Sequence, residues 1–379
     1  MKIAINARLI LPGKMGGEAT YTYMLLQQIA LLDQSNEYHL LFDRPWDSNL
    51  FNFLLSNTRF YFHVLPPQTR LAPFANYWFQ VSVRNFLMKN KLDIFFSPEP
   101  YTTIALPVKR IITVHDLAFI TFPETTYRIN SYNARVMVKL AVQSADKIIS
   151  VSHHTRDDLI KHYNLQSEKI SVIHHGIKHV EPDRNELSEK NVEDIFSDAR
   201  PYILYVGTIE PRKNLERLIL AYGKLVVSGV THRLVLAGRK GWKVRNVYHL
   251  VKEMNLDKHI VFTDFISDAA QSYLYQHADI FVYVPLYEGF GMPVSEAMSF
   301  GLPIVTSNVS SLPEVVGESA LKVDPLNVDD IYNGLYLLLN DHRLRLTLGK
   351  AAKERSKQFS WKNSALEHLK LFEKVYYGD

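Results

Sequence analysis

Short runs of aliphatic, β-branched and aromatic residues recur along the chain, separated by longer stretches whose apolar positions repeat at helical spacing. The first set reads KIAINA, YHLLF, DIFFS, KRIITVHD, KIISVS and KISVIHH. A charge-dense interval without strand pattern follows, Glu181 to Pro201, and a second set begins: YILYVG, RLVLAG, HIVFTD, DIFVYV and PIVTS. Apolar strands alternating with helices predict parallel sheets covered on both faces. After Asn214, in the capping position, Leu215, Leu218, Ile219 and Tyr222 form the i, i+3, i+4, i+7 stripe of a helix. The expected fold class is α/β, with two doubly wound, Rossmann-like domains. Residues 1–180 form the first and 201–357 the second, joined by 181–200, and a closing helical segment 358–379 packs back on the first. In such sheets ligands bind outside the carboxyl ends of the strands, so a ligand shared by both domains would lie in the cleft between them.

The strand-to-helix loops are therefore where chemistry is sought. YEGFGMPVSEAM, Tyr287 to Met298, follows a buried-type strand and leads into a short helix. Gly289 and Gly291 allow a sharp turn and close approach of backbone N–H groups. Pro293 suits the first helical position, and the amides behind it would point outward at the positive end of the helix dipole, a place that binds phosphate. Glu288 on the loop and Glu296 in the first turn would repel a phosphate unless their oxygens accept from hydroxyls. A sugar on one side of a diphosphate and a ribose on the other would supply these. The plainer reading, Glu288 as a solvated turn residue and Glu296 as a dipole partner, stays open on spacing alone.

A second loop, GTIEPRKNLERL, carries Arg212 and Lys213 at the same sheet edge, an arginine that can fork onto phosphate oxygens beside a point charge. In the first domain, PGKMGGEAT places Gly16 and Gly17 before a helix starting near Ala19, where they could approach a diphosphate. The pair lacks GxGxxG spacing, so it is no dinucleotide fingerprint. TVHDLAF puts His115 and Asp116 at a strand end, positioned to bond a sugar hydroxyl and to orient that histidine or meet an acceptor.

Composition narrows the choice. The absence of cysteine excludes a disulfide framework and thiolate metal sites and fits a reducing, cytoplasmic compartment. The N-terminal run is too short and polar for a secretory signal, and no stretch approaches a membrane span. A net charge of +4 is too small to argue for nucleic acid. Neither HExxH nor a D-x-D pair is present, so a departing diphosphate would be met by cationic side chains and amides rather than a divalent ion.

Residues Glu288 to Pro325 and GTIEPRKNLERLILAY resemble glycosyltransferase family 4, the retaining transferases of GT-B fold. The match includes the E-x7-E signature at Glu288 and Glu296, SLPEV with Glu314, and the Arg-Lys loop. Weaker similarity runs through TVHDLAF, ADKIISVS, KISVIHHG and FSWKNSALEHL. The resemblance implies that Glu288 contacts the donor sugar and Glu296 the ribose. Phe290, Gly291 and Met292 would lie against sugar and diphosphate, Arg212 and Lys213 would hold the phosphates, and His115 would sit near the reacting sugar. It further implies a nucleotide sugar donor, GDP- or UDP-linked, carrying mannose or glucose, and a saccharide or lipid-linked acceptor in surface polysaccharide synthesis. No cofactor and no metal are expected. Two positions depart from the pattern: Thr208 stands where many relatives have a basic residue, and Asp264 where they often have glycine. Competing readings are a sugar-nucleotide epimerase or phosphorylase on the same scaffold, and a non-catalytic nucleotide-sugar binder.

One further segment, Arg70 to Lys91, mixes Phe74, Tyr77, Trp78, Phe79 and Phe86 with Arg70, Arg84, Lys89 and Lys91. Read as a core helix with a solvated basic end, the favoured reading, it is structural. Read as a basic amphipathic helix, it is a peripheral contact with an anionic membrane face.

Overall fold

The computed structural model describes residues 1–13, 15–104, 106–125, 128–182 and 200–378, so most of the connection expected over 181–200 lies outside the described residues. The chain divides into two compact units. One comprises Met1–Pro123, Tyr127–Gly176 and Phe359–Asp379, the other Glu124–Thr126 and Ile177–Gln358.

The first unit is built on seven parallel strands: β1 Lys2–Asn6, β2 Glu37–Phe42, β3 Phe60–Val64, β4 Ile94–Ser97, β5 Lys109–Val114, β6 Lys147–Ser150 and β7 Ile170–Val172. Their order is β3-β2-β1-β4-β5-β6-β7. Alternate side chains of one strand serve opposite faces. Ile94 and Phe96 of β4 join one core with Tyr21, Leu25 and Ile29 of the helix Gly17–Leu32. Phe95 between them packs on the other face with Trp78, Phe79 and Leu87. The closing helix Trp361–Tyr377 belongs to this unit: Trp361, Leu371 and Phe372 enter the first core. It is pinned by Tyr21, whose hydroxyl lies 2.6 Å from His368 Nε2 and 3.1 Å from Thr113 Oγ1.

Six parallel strands form the second unit: β8 Tyr202–Val206, β9 Arg233–Ala237, β10 Ile260–Asp264, β11 Ile280–Tyr283, β12 Ile304–Ser307 and β13 Leu321–Val323. Their order is β10-β9-β8-β11-β12-β13. β8, β9, β11 and β12 are buried along their whole length. The two strands absent from the sequence reading, β3 and β13, are both sheet edges. β13 has three residues with Lys322 at its centre, and β3 exposes Tyr61 and Val64.

Several local expectations change. The first helix begins at Gly17, two residues before Ala19. Asn214 precedes the helix Leu215–Val227 in a left-handed conformation, φ 61°, and its side chain does not cap. Its amide instead donates to Val284 O and Pro325 O at 3.0 and 2.7 Å, tying two neighbouring loops together. Arg70 to Lys91 is one helical run in three parts, Ala72–Tyr77, a π-helical stretch Trp78–Val83, and Arg84–Asn90. At Asp264 β10 bulges and the backbone takes φ 55°. That is the left-handed region glycine enters freely and aspartate tolerates, a physical reason why either residue fits there.

Candidate functional site

Gly16, Gly17, His115 and Asp116 lie in the first unit and the other nine candidate residues in the second. In the second unit, β8, β11 and β12 are neighbours, so the loops leaving their carboxyl ends converge. Pro211–Lys213 is a short 3-10 turn, and the next loop is tied to it by Leu286 N donating to Arg212 O at 2.9 Å. Arg212 returns the contact through Nη1, which donates to Tyr287 O at 2.9 Å. Asn214 and these two bonds fix the cationic turn against the glutamate loop.

Glu288, Lys213 and Arg212 meet directly. Lys213 Nζ pairs with Glu288 Oε1 and also donates to Tyr283 OH at 2.7 Å. Tyr283 OH donates to the same Glu288 oxygen at 2.8 Å, and Arg212 Nη1 stands 3.3 Å from it. Arg212 Nη2 donates to Glu210 Oε1 at 3.0 Å. Ser310 Oγ accepts from the Glu288 amide at 3.1 Å and Ser311 Oγ donates to its carbonyl at 3.1 Å, fixing the backbone. Glu210, Lys213 and Glu288 are all buried. Burial alone would raise the Glu288 carboxyl. Lys213 and Arg212, with hydrogen bonds from Lys213 and Tyr283, outweigh it and hold the group below its ordinary value. Burial and the charge of Glu288 drive the Tyr283 phenol well above its ordinary range, so it remains a proton donor.

The helix Met292–Ser299 carries the second glutamate. Gly291 precedes it at φ 96°, a backbone conformation that favours glycine, and a Cβ there would fall 2.6 Å from Leu312 Cδ2 and make that side chain shift. Three sequence expectations are corrected here. Pro293 is the second helical residue rather than the first, and Glu296 lies beyond the first turn. The amides of Val294 and Ser295 turn back to Gly291 O at 3.0 and 3.2 Å, so they do not point outward as a phosphate nest. Phe290 is buried, while Met292 and Pro293 are half-buried.

Glu296 sits among neutral donors. Gln271 Nε2 and Tyr275 OH give hydrogen bonds to its Oε2 at 3.0 and 3.1 Å. Burial prevails over these bonds and over nearby Lys178, while Asp268 adds to it, and the carboxyl is pushed up to about 7. Thr208 is engaged through its backbone. Its carbonyl accepts from Tyr205 OH at 3.3 Å.

In the first unit, Gly16 is the residue before the helix, in extended backbone, and Gly17 its first residue. His115 Nε2 lies 2.8 Å from Pro98 O, and the ring meets Tyr21 edge-on, centroids 4.9 Å apart. Burial lowers its pKa, so the neutral imidazole is favoured. Asp116 Oδ1 accepts from Ala118 N at 3.0 Å. Sequence reading missed a polar group at the same sheet edge. Arg8 Nε donates to Glu99 Oε1 at 2.6 Å and Nη1 to Thr69 Oγ1 at 2.8 Å, and Asn6 Nδ2 donates to Glu99 Oε1 at 2.5 Å. Beside it Glu18 is pushed up to about 8 by burial, Glu99 and Asp116. Also missed were Glu210, Tyr283, Gln271 and Tyr275. A tyrosine ending a buried strand and a glutamate two residues before the arginine were the available signals.

Two doubly wound parallel sheets in one chain match the GT-B fold of known glycosyltransferases. Residues 188–355 match the family model described as glycosyl transferases group 1, and residues 15–180 the model for glycosyltransferase family 4. The chain is 32% identical over 281 residues, 74% of each chain, to the O-antigen chain mannosyltransferase B of Escherichia coli. It is 30% identical over 272 residues to the serotype-specific mannosyltransferase WbdA of Escherichia coli, a match covering 70% of this chain and 33% of that longer protein. Among solved structures, Anabaena HepE in complex with UDP and glucose superposes with a TM-score of 0.75 at 17% identity, over 98% of this chain and 99% of that one. The chain belongs to the family 4 glycosyltransferases.

Proposed function

We propose that this glycosyltransferase moves a hexose of mannose or glucose type from a GDP- or UDP-linked donor to a saccharide or lipid-linked acceptor. Anomeric configuration is retained, and the setting is cytoplasmic synthesis of a surface polysaccharide. The observation that carries this reading is the group formed by buried Glu288, Lys213 and Tyr283 with half-buried Arg212 at the carboxyl ends of central strands. The mannosyl and O-antigen roles named for the relatives support the choice of sugar and product.

Glu210 and Glu288 balance Arg212 and Lys213, two anions against two cations. An entering diphosphate competes for those cations and draws on their remaining N–H donors. Glu288 then turns to hydroxyl groups of the donor sugar, and Glu296 accepts from the ribose. As the sugar–diphosphate C–O bond breaks, the bond to the acceptor oxygen forms on the same face, and a diphosphate oxygen takes the acceptor's proton. No protein nucleophile is needed. Arg212 and Lys213 stabilise the leaving charge in place of a divalent ion.

Thermal-shift screening of UDP, GDP, ADP and their sugars in buffer containing EDTA tests this. A diphosphate ligand of one base should raise the melting temperature by mass action. A flat response to all of them would overturn the donor assignment.

A further inference from the structure

Three histidines of the first unit, His115, His175 and His368, gather around Tyr21 on one face of its sheet. The resemblance gives a role to His115 alone. Tyr21 and His175 pack against the His115 imidazole with centroids 4.9 and 5.4 Å away, and Tyr21 stands nearly perpendicular to it. Tyr21, Thr113 and His368 are fully buried.

Chemistry fixes where each proton lies in this group. His368 Nδ1 is 2.7 Å from Ser364 O, and a carbonyl oxygen only accepts, so Nδ1 carries the proton. Burial lowers the pKa of His368 to about 4, which leaves the ring neutral and Nε2 an acceptor. Nε2 therefore accepts from Tyr21 OH at 2.6 Å, and the Tyr21 oxygen accepts in turn from Thr113 Oγ1 at 3.1 Å. Burial pushes the Tyr21 phenol above its ordinary range, so it keeps its proton. The bonds run one way, from Thr113 on β5 through Tyr21 to His368 and Ser364 O on the closing helix. His115 is fixed by the same chemistry: its Nε2 donates to Pro98 O at 2.8 Å, and Nδ1 is left as a lone pair for a hydroxyl.

A single hydrogen bond sets the tautomer of an imidazole but lets the ring swing about it. Tyr21 blocks that swing, and its own angle is held because its hydroxyl both donates and accepts. Thr113 precedes His115 by two residues, so in extended backbone the two side chains share a face. The Thr113 bond thereby ties Tyr21 to the strand that carries the histidine.

We propose that Tyr21 and His368 are positioning residues for His115: the closing helix, through His368 Nε2, holds the Tyr21 ring against the imidazole and keeps Nδ1 aimed at a hydroxyl of the donor sugar. This rests on the transfer reaction proposed above, with His115 beside the reacting sugar. A tyrosine and a histidine that only fastened the helix would be replaceable by an apolar pair, because removing both partners of a buried bond leaves neither unsatisfied. Positioning through the hydroxyl would not survive that exchange.

Tyr21→Phe alone, and Tyr21→Phe with His368→Leu, separate the two roles. The single variant leaves His368 Nε2 without its donor and should lower the melting temperature; the double variant should recover most of the loss. Turnover should not recover with it: in both variants kcat should stay about tenfold down, with KM for the donor within about twofold of wild type. Nitrogen-15 spectra of histidine-labelled protein read His115 directly, without any donor. Wild type should show one tautomer, protonated on Nε2, and both variants a mixture of two. Turnover that returns together with melting temperature in the double variant would overturn the proposal, as would an unchanged single tautomer in both, leaving the pair a fastening of the helix. If the wild-type protein transfers from no sugar nucleotide, the donor reading fails, and the spectra still decide whether Tyr21 and His368 position His115.

Discussion

The loop holding Glu288 and the helical turn holding Glu296 lie eight residues apart, and their carboxyls are driven in opposite directions. Burial acts on both to raise the pKa. At Glu288 two cations and a phenol reverse it; at Glu296 an amide, a second phenol and a single more distant lysine do not. Burial sets the cost of charge, and the charge of the neighbours decides whether it is met. A signature written as two identical letters therefore contains two different acids, one kept ionised by its pairing and one balanced near neutrality.

The largest effect expected from breaking this arrangement is on transfer itself. Glu288→Gln should lower turnover about a hundredfold or more, the scale of losing one oriented electrostatic group at a reacting centre. Circular dichroism should show the fold retained, and near-normal turnover would remove the sugar-contact role. Next comes donor affinity. Arg212→Ala with Lys213→Ala should weaken nucleoside diphosphate binding at least about a hundredfold, two charge-assisted hydrogen bonds at roughly 1.5–3 kcal/mol each. Unchanged affinity by calorimetry would sink the phosphate assignment. Tyr283→Phe removes the bond to Glu288 and the one accepted from Lys213 Nζ, and keeps the ring under Lys213. Turnover should fall about tenfold and diphosphate affinity by less, because Glu288 loses a donor while Lys213 keeps its charge for the phosphates. Equal losses in both would make Tyr283 a packing residue only.

The smallest effect is on stability, and it sharpens the comparison by sign. Glu296 has a raised folded-state pKa, so folding takes up a proton between its ordinary 4.5 and about 7. The resulting stability is full at low pH and lost as pH rises through that window. Relative to wild type, Glu296→Gln should be level near pH 5 and about 2–3 kcal/mol more stable at pH 8 in denaturant titrations. Glu288 has a lowered pKa, so its contribution is present above the ordinary value and lost as pH falls through the folded value. The deficit of Glu288→Gln should accordingly shrink toward acid. Parallel trends for the two variants would show that their surroundings do not differ as described.

Much of this was legible in sequence and some was not, for identifiable reasons. Central strands such as YILYV and IFVY are buried on both faces and read as unbroken apolar runs. The edge strands β3 and β13, short or half-exposed, did not. Glu288, Arg212 and Lys213 were found through local loop chemistry. Their pairing joins residues 75 positions apart, which no spacing rule reaches. Asn214 occupies the position of a cap and spends its amide on Val284 and Pro325, because a tertiary demand outweighed a local preference. The Arg70–Lys91 segment carried two patterns at once, and burial separated them into a core set and a surface set.

The central claim is that Glu288 holds Arg212 and Lys213 in competition with the donor's diphosphate. Calorimetric titration of the preferred nucleoside diphosphate into Glu288→Gln tests it most directly. With the carboxylate gone, both cations are released to the phosphates, and affinity should rise about fivefold over wild type even as transfer is lost. Affinity that falls along with transfer would contradict the account, showing that Glu288 organises the cations for the diphosphate instead of competing with it.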